Sequence, residues 1–497
     1  MASLTIQQPA TYSGRTLDNT LFQRVPTDLR YVNSRYQTFL PLNSIGDGSV
    51  DRIIFNIPSL ASASTYDFSS LLLEMSVTIV DKDNNLPGSD IRIANICGAH
   101  SFFSDIKYYL NDVLINPNSG NYPFKSYLKN LLSFPSEYKK TVLSLESYSE
   151  DTAHKMQSVG EDNEGFTKRL KEYANLDQYD NVLNYKQENA HFLFNLSPDL
   201  QAEIINGVAI RIELTPSNPD FCLFGKKVVN QAQVVDNLET SVQYYEDISG
   251  YKFLIKNISL HVLCHDLRSE VYEQIQQNLK KEPISISFRR FDLVPYIINK
   301  GVETYISDVL FPSSQMIPSR AFFFLIPSEY FTGNLSANPY DFQLKVVDAK
   351  IKKIQITLGG QEIDGLLSDK SFSKIAFYRL QKLLGLMDSG FCTGIDYDMF
   401  IGGFGIYVID FSTSLASAQQ FILPSIKTGH ARASILFDKV TPASYHLLSL
   451  LEYPSNLSIS IGAQGRVVQV ITYIYIIPEY NLYVLHLISI FQSNYFT

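Results

Sequence analysis

The chain has no tryptophan, few charges and few cysteines, and each shortage excludes something. Charged residues make up 18% of the 497 positions, below the quarter usual for soluble proteins. So small a share implies that much surface is hidden against neighbours, as in obligate assemblies. The net charge of −9 argues against a protein that grips nucleic acid along its whole surface. The four cysteines, Cys97, Cys222, Cys264 and Cys392, lie far apart without a CxxC pair. That excludes a disulfide framework or a zinc site as the reading and fits reduced thiols made inside a cell. Residues 1–20 lack the apolar stretch of a secretory signal. The Asn-x-Ser sequons at Asn195, Asn257, Asn334 and Asn456 therefore read as chance matches. The apolar stretch from Val467 to Phe491 is interrupted by Gln469, Pro478, Glu479, Asn481 and His486. It reads as strand, not as a membrane-crossing helix.

Signatures of chemistry are also missing. There is no P-loop, nucleophile elbow, zincin helix or dinucleotide fingerprint. Asp81 to Asp90, DKDNNLPGSD, starts like a calcium loop but has Leu86 where Gly is needed and Arg92 where a bidentate Glu is needed. It reads as a polar hairpin loop. His261, Cys264 and His265 would split over two faces of a strand, so they do not converge on a metal. Gly402, Gly403 and Gly405 precede a strand, not the helix a phosphate cradle needs, which suggests a bend or a close backbone approach. Asp396 and Asp398 form a carboxylate pair of a kind common in loops. Lys280, Lys281, Arg289 and Arg290 form the densest basic region. A solvated helix end and strand edge accounts for it, with a neighbouring subunit or packaged nucleic acid as the other reading. No catalytic, cofactor-binding or metal-ligating residue is assigned, and an enzyme is not expected.

What is present is apolar and aromatic. Apolar residues reach 45%, with 31 Tyr and 32 Phe, both strand formers. The chain also echoes itself. Ile106–Ile115, IKYYLNDVLI, and Ile354–Ile363, IQITLGGQEI, are strands that reach two-residue turns, Asn111-Asp112 and Gly359-Gly360, after a Leu. Helical runs follow, YLKNLL at Tyr127–Leu132 and RLQKLL at Arg379–Leu384. Alternating strands then close each half, Val208–Leu214 and Leu457–Ile461. The three landmarks recur 248, 252 and 249 residues apart.

Two copies of one β-rich domain follow from this. Strands are expected at Ile53–Ile57, Leu71–Val80 and His191–Leu196 in the first half. The second half holds Tyr251–Leu263, Ile284–Leu293, Ala321–Ile326, Phe404–Phe411 and Ala433–Phe437. Short strands with long connections suggest sandwiches, and eight strands in two packed sheets make a jelly roll. The expected fold is all-β with short helices: two tandem eight-stranded jelly-roll β-sandwiches in one chain. The expected division is an N-terminal arm over 1–48 with scattered Arg15, Arg24, Arg30 and Arg35, a first roll over 49–247, a second over 248–478 and a C-terminal tail over 479–497. The stretch 147–188 carries nine acidic and five basic residues and reads as a long loop with helix near Phe166–Tyr173. A further helix is expected over Ser269–Leu279, with Ser269 as N-cap.

The sequence resembles the double jelly-roll major capsid proteins of Polinton (Maverick) elements and adintoviruses, with related genes in nematode and other invertebrate genomes. The first half carries Phe55-Asn56-Ile57-Pro58, Tyr66-Asp67-Phe68-Ser69-Ser70, the run to Asn111-Asp112, and Tyr122-Pro123-Phe124 before the helix. The second carries Phe288-Arg289-Arg290-Phe291, Pro318-Ser319-Arg320, Phe331-Thr332-Gly333-Asn334, Asn338-Pro339-Tyr340-Asp341-Phe342, Gly429-His430-Ala431-Arg432 and the Tyr453 region. The likeness spans about residues 50–470, and the order of the motifs is its specific part. It departs at Asn111-Asp112, where Asn-Gly or Asp-Gly is usual, and after Val470.

The resemblance implies a homotrimeric capsomer of pseudo-hexagonal outline that tiles an icosahedral virion shell around a DNA genome. It also implies a single jelly-roll penton protein and minor capsid proteins as partners. The arm 1–48 would lie inside the shell and touch neighbours, packaged DNA or a membrane. Other readings are a β-sandwich carbohydrate-binding protein or glycosidase, against which the absence of Trp argues mildly, and a host-domesticated capsid-derived protein.

Overall fold

The computed structural model describes residues 30–43, 45, 51–60, 63–116, 120–196, 198–235, 238–307, 317–342, 345–346, 349–358, 360–366, 372–384, 392–411, 431–462 and 465–472. Within them two jelly rolls follow one another. The first consists of β1 (Tyr31–Phe39), β2 (Ile53–Ile57), β3 (Ser64–Asp81), β4 (Phe103–Leu110), β5 (Val113–Leu114), β6 (Ala190–Asn195), β7 (Ile210–Pro216) and β8 (Tyr251–Leu267). One sheet runs β1-β8-β3 with β6 beyond β3, and the other runs β2-β7-β4-β5. The second roll repeats the scheme with β9 (Ile284–Ile298), β10 (Thr304–Ile306), β11 (Arg320–Pro327), β12 (Ala349–Leu358), β13 (Gln361–Leu366), β14 (Tyr407–Asp410), β15 (Ala431–Phe437) and β16 (Tyr445–Gly462). Its sheets run β9-β16-β11-β14 and β10-β15-β12-β13. All these pairings are antiparallel. The expected fold is therefore the observed one.

Alternation builds the first roll. Leu71, Leu73, Met75, Val77 and Ile79 of β3 are buried, and Phe68 meets Tyr108 of the facing sheet edge-on at 5.8 Å. The turn after β4 places Asn111 and Asp112 at φ 46° and 62°, the paired positive values a two-residue hairpin requires. Asn can serve there because its side chain is used: Oδ1 accepts from Ala209 N at 2.8 Å. In the second roll Gly360 has φ 85°, while Gly359 lies outside the described residues. Helix α1 (Tyr122–Ser133) follows the first hairpin, and α4 (Phe372–Leu383) follows the second. Between them lie α2 (Glu164–Tyr173) and α3 (Ser269–Lys281).

Five expectations need correction. The third landmark of the repeat matched unlike strands. Ile210 of β7 pairs with Leu110, and in the second roll Ala431 of β15 pairs with Leu358, so β15 is the counterpart of β7. Leu457–Ile461 lies on β16, the counterpart of β8. Any strand with one buried face alternates, so alternation alone could not tell them apart. The strand Tyr251–Leu263, expected in the second half, pairs with β3 of the first roll along its length. Residues 31–39 are not an arm but β1, paired with β8. The stretch 147–188 is no open loop: Met156, Val159, Phe166, Leu170 and Tyr173 are core residues. Ser269 does not cap α3; it lies within the first turn, after Arg268, and no side-chain cap bond is made. Residues 1–29 of the arm and the tail 479–497 lie outside the described residues, as do Gly429 and His430.

Candidate functional site: the seam between the rolls

The motifs that carry the resemblance are scattered in sequence, and many of them meet where the two rolls join. α1 starts with Tyr122-Pro123-Phe124, Pro occupying a first-turn position that needs no N–H donor. The Phe124 ring lies 6.2 Å from Phe324, 6.1 Å from Phe331 and 5.7 Å from Tyr340, all three in the second roll. Tyr127, one turn on, stacks on Tyr340 at 4.0 Å and 7°. The Tyr340 hydroxyl donates to Pro123 O at 3.1 Å, so this buried phenol is satisfied across the seam. Phe331 in turn stacks on His446 at 4.2 Å, and burial lowers that imidazole from its ordinary 6.5. Aromatic clusters of this kind combine large buried area with preferred ring geometry.

A polar network lies beside the rings. Asn163 caps α2 by accepting from Phe166 N at 3.3 Å, and it also accepts from Thr152 N at 3.1 Å. This fixes the turn that presents Asp151 to Arg169. The Arg169 guanidinium reaches Asp151 at 2.7 Å and donates to Asn95 O at 3.0 Å and to Ser149 O. The other Asp151 oxygen accepts from Asn338 Nδ2 of the second roll at 2.8 Å. Gln157 bonds the Asn338 backbone twice, at 2.9 and 2.8 Å. The Arg169 and Asp151 side chains are 0% and 1% exposed, a burial that is tolerable because so many of their polar atoms are matched. Gly402 and Gly403 show the expected close approach: His154 N donates to Gly402 O at 2.7 Å. A Cβ on Gly403 would lie 2.0 Å from Met156 Sδ.

A second charged cluster gathers Arg289, Arg320 and Glu452. Glu452 accepts from Arg320 Nε at 2.9 Å and pairs with Arg289 at 2.9 Å, while Arg320 also donates to Leu383 O at the end of α4. Nearby, Arg290 pairs with Asp292 at 3.0 Å and Lys125 of α1 pairs with Asp199 at 2.6 Å. Asp199 also accepts from Phe291 N of the second roll at 3.3 Å. Burial raises the Asp292 carboxyl above its ordinary value, with Arg290 and Lys125 pulling the other way. The expected basic region is thus divided. Arg289 and Arg290 serve the interior, and only Lys280 and Lys281 are exposed.

The remaining near misses stay apart. Asp81 turns its carboxylate onto its own loop, accepting from Asp83 N and Asn85 N at 2.8 Å each, and these bonds hold it below the usual range. The same turn recurs at Asp177 with Tyr179 and Asn181. His261 and His265 share a face, bonded to Thr38 at 2.9 Å and Ser34 at 2.8 Å, while Cys264 is buried. Asp396 caps the short helix Tyr397–Ile401, and Asp398 faces His154 at 3.2 Å. Among the described residues, no three His, Cys, Asp or Glu side chains group to hold a metal, and no helix is long and apolar enough to cross a membrane. Sequence reading missed Arg169 and Asp151, and gave Asn338 only as part of a motif, without its role. It also missed Glu452, although a lone carboxylate in the run YHLLSLLEYP was a usable signal.

No protein-family model matches the chain. An uncharacterized protein of Caenorhabditis elegans is 21% identical over 350 residues, which cover 69% of this chain and 74% of the relative. Among solved structures, a chain of the Sputnik virophage, solved by cryo-EM, superposes with a TM-score of 0.62 at 12% identity, covering 99% of this chain and 98% of that one. The mavirus major capsid protein matches with a TM-score of 0.49 at 13% identity, over 97% of this chain and 99% of that one. The strand order of both halves and the end-to-end superposition on the virophage chain agree: this chain has the double jelly-roll fold of viral capsid proteins.

Proposed function

We propose that the protein is a major capsid protein whose work is assembly, with no catalytic step. One observation carries the reading: two jelly rolls of identical strand order are locked together by a buried seam, so that one chain is a rigid two-lobed tile. Three such tiles form a homotrimeric capsomer of six lobes, and capsomers tile an icosahedral virion shell around DNA. The low share of charge fits surfaces that end buried between copies. On this reading the lineage is of the Polinton or adintovirus type. A single jelly-roll penton protein and minor capsid proteins complete the shell, and the segment before β1 faces the genome. The division becomes a first roll ending at β8, a linking helix α3 and a second roll from β9.

A genome-resident copy with a new role is the second reading, favoured by the nematode relative. It differs in place, not in fold. The test is the mass of the purified protein by light scattering, with negative-stain images of the same peak. A mass of three chains with hexagonal outlines is expected. A monomer that stays monomeric at high concentration would overturn the reading.

A further inference from the structure

The two rolls contain the same sheet in different surroundings. In the second roll, every residue of β16 from Tyr445 to Ser455 is buried. Phe324 and His446, which point to one side of that sheet, meet Phe124 of α1 and Phe331. In the first roll the matching sheet, β1-β8-β3-β6, has one face that no other described element covers. Register places Tyr36 opposite Leu263, Thr38 opposite His261, and His261 opposite Leu72; Glu74 stands opposite Leu193. Tyr36 is 56% exposed at one edge and Leu193 39% at the other, with half-buried Leu263 and Leu72 between them. Solitary exposed apolar residues need no explanation, but a row of them across one sheet face marks an interaction site.

The helices differ in the complementary sense. α1 is buried along nearly its whole length, since it lies between its own roll and the next. α4, at the same place in the second roll, buries Ala376, Leu380 and Leu383 but exposes Lys374, Tyr378 and Lys382, spaced four apart on one stripe. Within one chain, then, the helix after the hairpin of one roll covers a sheet of the next roll. Among the described residues, the second roll has such a helix with no further sheet under its outer stripe, and the first roll has such a sheet with no helix over it. Charge agrees: the stripe carries two lysines, and the bare face carries Glu74, whose side chain is 58% exposed although one oxygen meets His261 at 3.0 Å.

We infer that the α4 stripe of one copy docks on the bare β1-β8-β3-β6 face of a second copy, repeating between chains the contact that α1 makes within the chain. The inference rests on the assembly reading above and names the surfaces it uses. The contact is head to tail: the surface given differs from the surface received. Such contacts close into a ring where the rotation between copies returns to its start, as it does in a trimer. Because the exposed edge of β1 is part of this face, docking would also cover an edge that is otherwise open to nonspecific pairing.

Disulfide trapping tests this in the full chain with Cys392→Ser, which removes the exposed native thiol. Combining Tyr36→Cys with Tyr378→Cys should give, on mild oxidation, linked species that stop at three chains; each single-cysteine variant should stay unlinked. Linked pairs from Tyr36→Cys alone would overturn the inference, because they require a symmetric contact. A wild-type mass of three chains with no linking in the double variant would overturn it while leaving the assembly reading intact. A wild-type monomer would remove both. As an independent readout, Glu74→Lys and the pair Lys374→Glu with Lys382→Glu should each weaken association at least tenfold, and all three together should restore it. Unchanged circular dichroism would show that each variant is folded. Weakening without restoration would sink the pairing.

Discussion

Among the described residues, the first roll buries one face of its main sheet and leaves the other accessible, whereas the second buries both faces over β11, β14 and the first eleven residues of β16, with only its edge strand β9 partly exposed. The central strands show it: β8 alternates between buried and accessible residues, but β16 is continuously buried over its first eleven positions. The duplicated fold supplies the same strands. What differs is whether another roll lies on top. A strand buried on both faces can keep a charge only if a partner comes with it, and Glu452 of β16 therefore has two arginines. The accessible face of β8 carries His261, bonded to Thr38 and to the exposed Glu74, and His265, bonded to Ser34, where water can also serve them.

Substitutions sharpen this contrast. Glu452→Ala would leave buried Arg320 and half-buried Arg289 without their carboxylate, and a loss of about 3–5 kcal/mol is expected in urea unfolding. A loss below about 1 kcal/mol would mean that the pair is solvated after all. Gly165→Ala comes next. Its Cβ would fall 2.1 Å from Glu150 O, backbone that cannot step aside without moving Asp151 off Arg169 and Asn338. A cost of about 1–3 kcal/mol is expected, along with partial uncoupling of the two rolls, seen as two calorimetric transitions in place of one.

His446 gives the pH dependence. Its folded pKa lies below its unfolded value of 6.5, so the unfolded chain takes up the proton first. Its contribution is whole above 6.5 and is lost as pH falls from there through the folded value. His446→Gln should flatten stability in that window; an unchanged profile would place the acid sensitivity elsewhere. Smallest of all is Tyr36→Ser on the bare face, expected to change the stability of the isolated chain by less than about 0.5 kcal/mol. A larger loss in the monomer would show that the face is already covered from within.

Much of this architecture was legible beforehand. The hairpin echo and the helix after it lie at the same place in each roll, because turn chemistry and helical spacing are local. The closing alternation misled, because β7 and β16 both obey a two-residue period for different partners. β1 was missed since an edge strand with mostly exposed residues has little apolar pattern. The stretch 147–188 looked like a solvated loop by its charge. Its composition conceals that Arg169 and Asp151 neutralise each other inside. The seam as a whole was unreadable, being built from side chains far apart in the chain, such as Asp151 with Asn338 and Pro123 with Tyr340.

The sequence by itself determined duplication, strand content and the absence of familiar catalytic motifs. These follow from periodicity, turn residues and composition, which act over a few neighbouring positions. Only the tertiary structure decided which strands share a sheet, that β8 belongs to the first roll, and that α1 spans both. Pairing partners and shared burial depend on long-range contacts, and a polar residue such as Asn338 or Glu452 acquires its meaning only from what is folded against it.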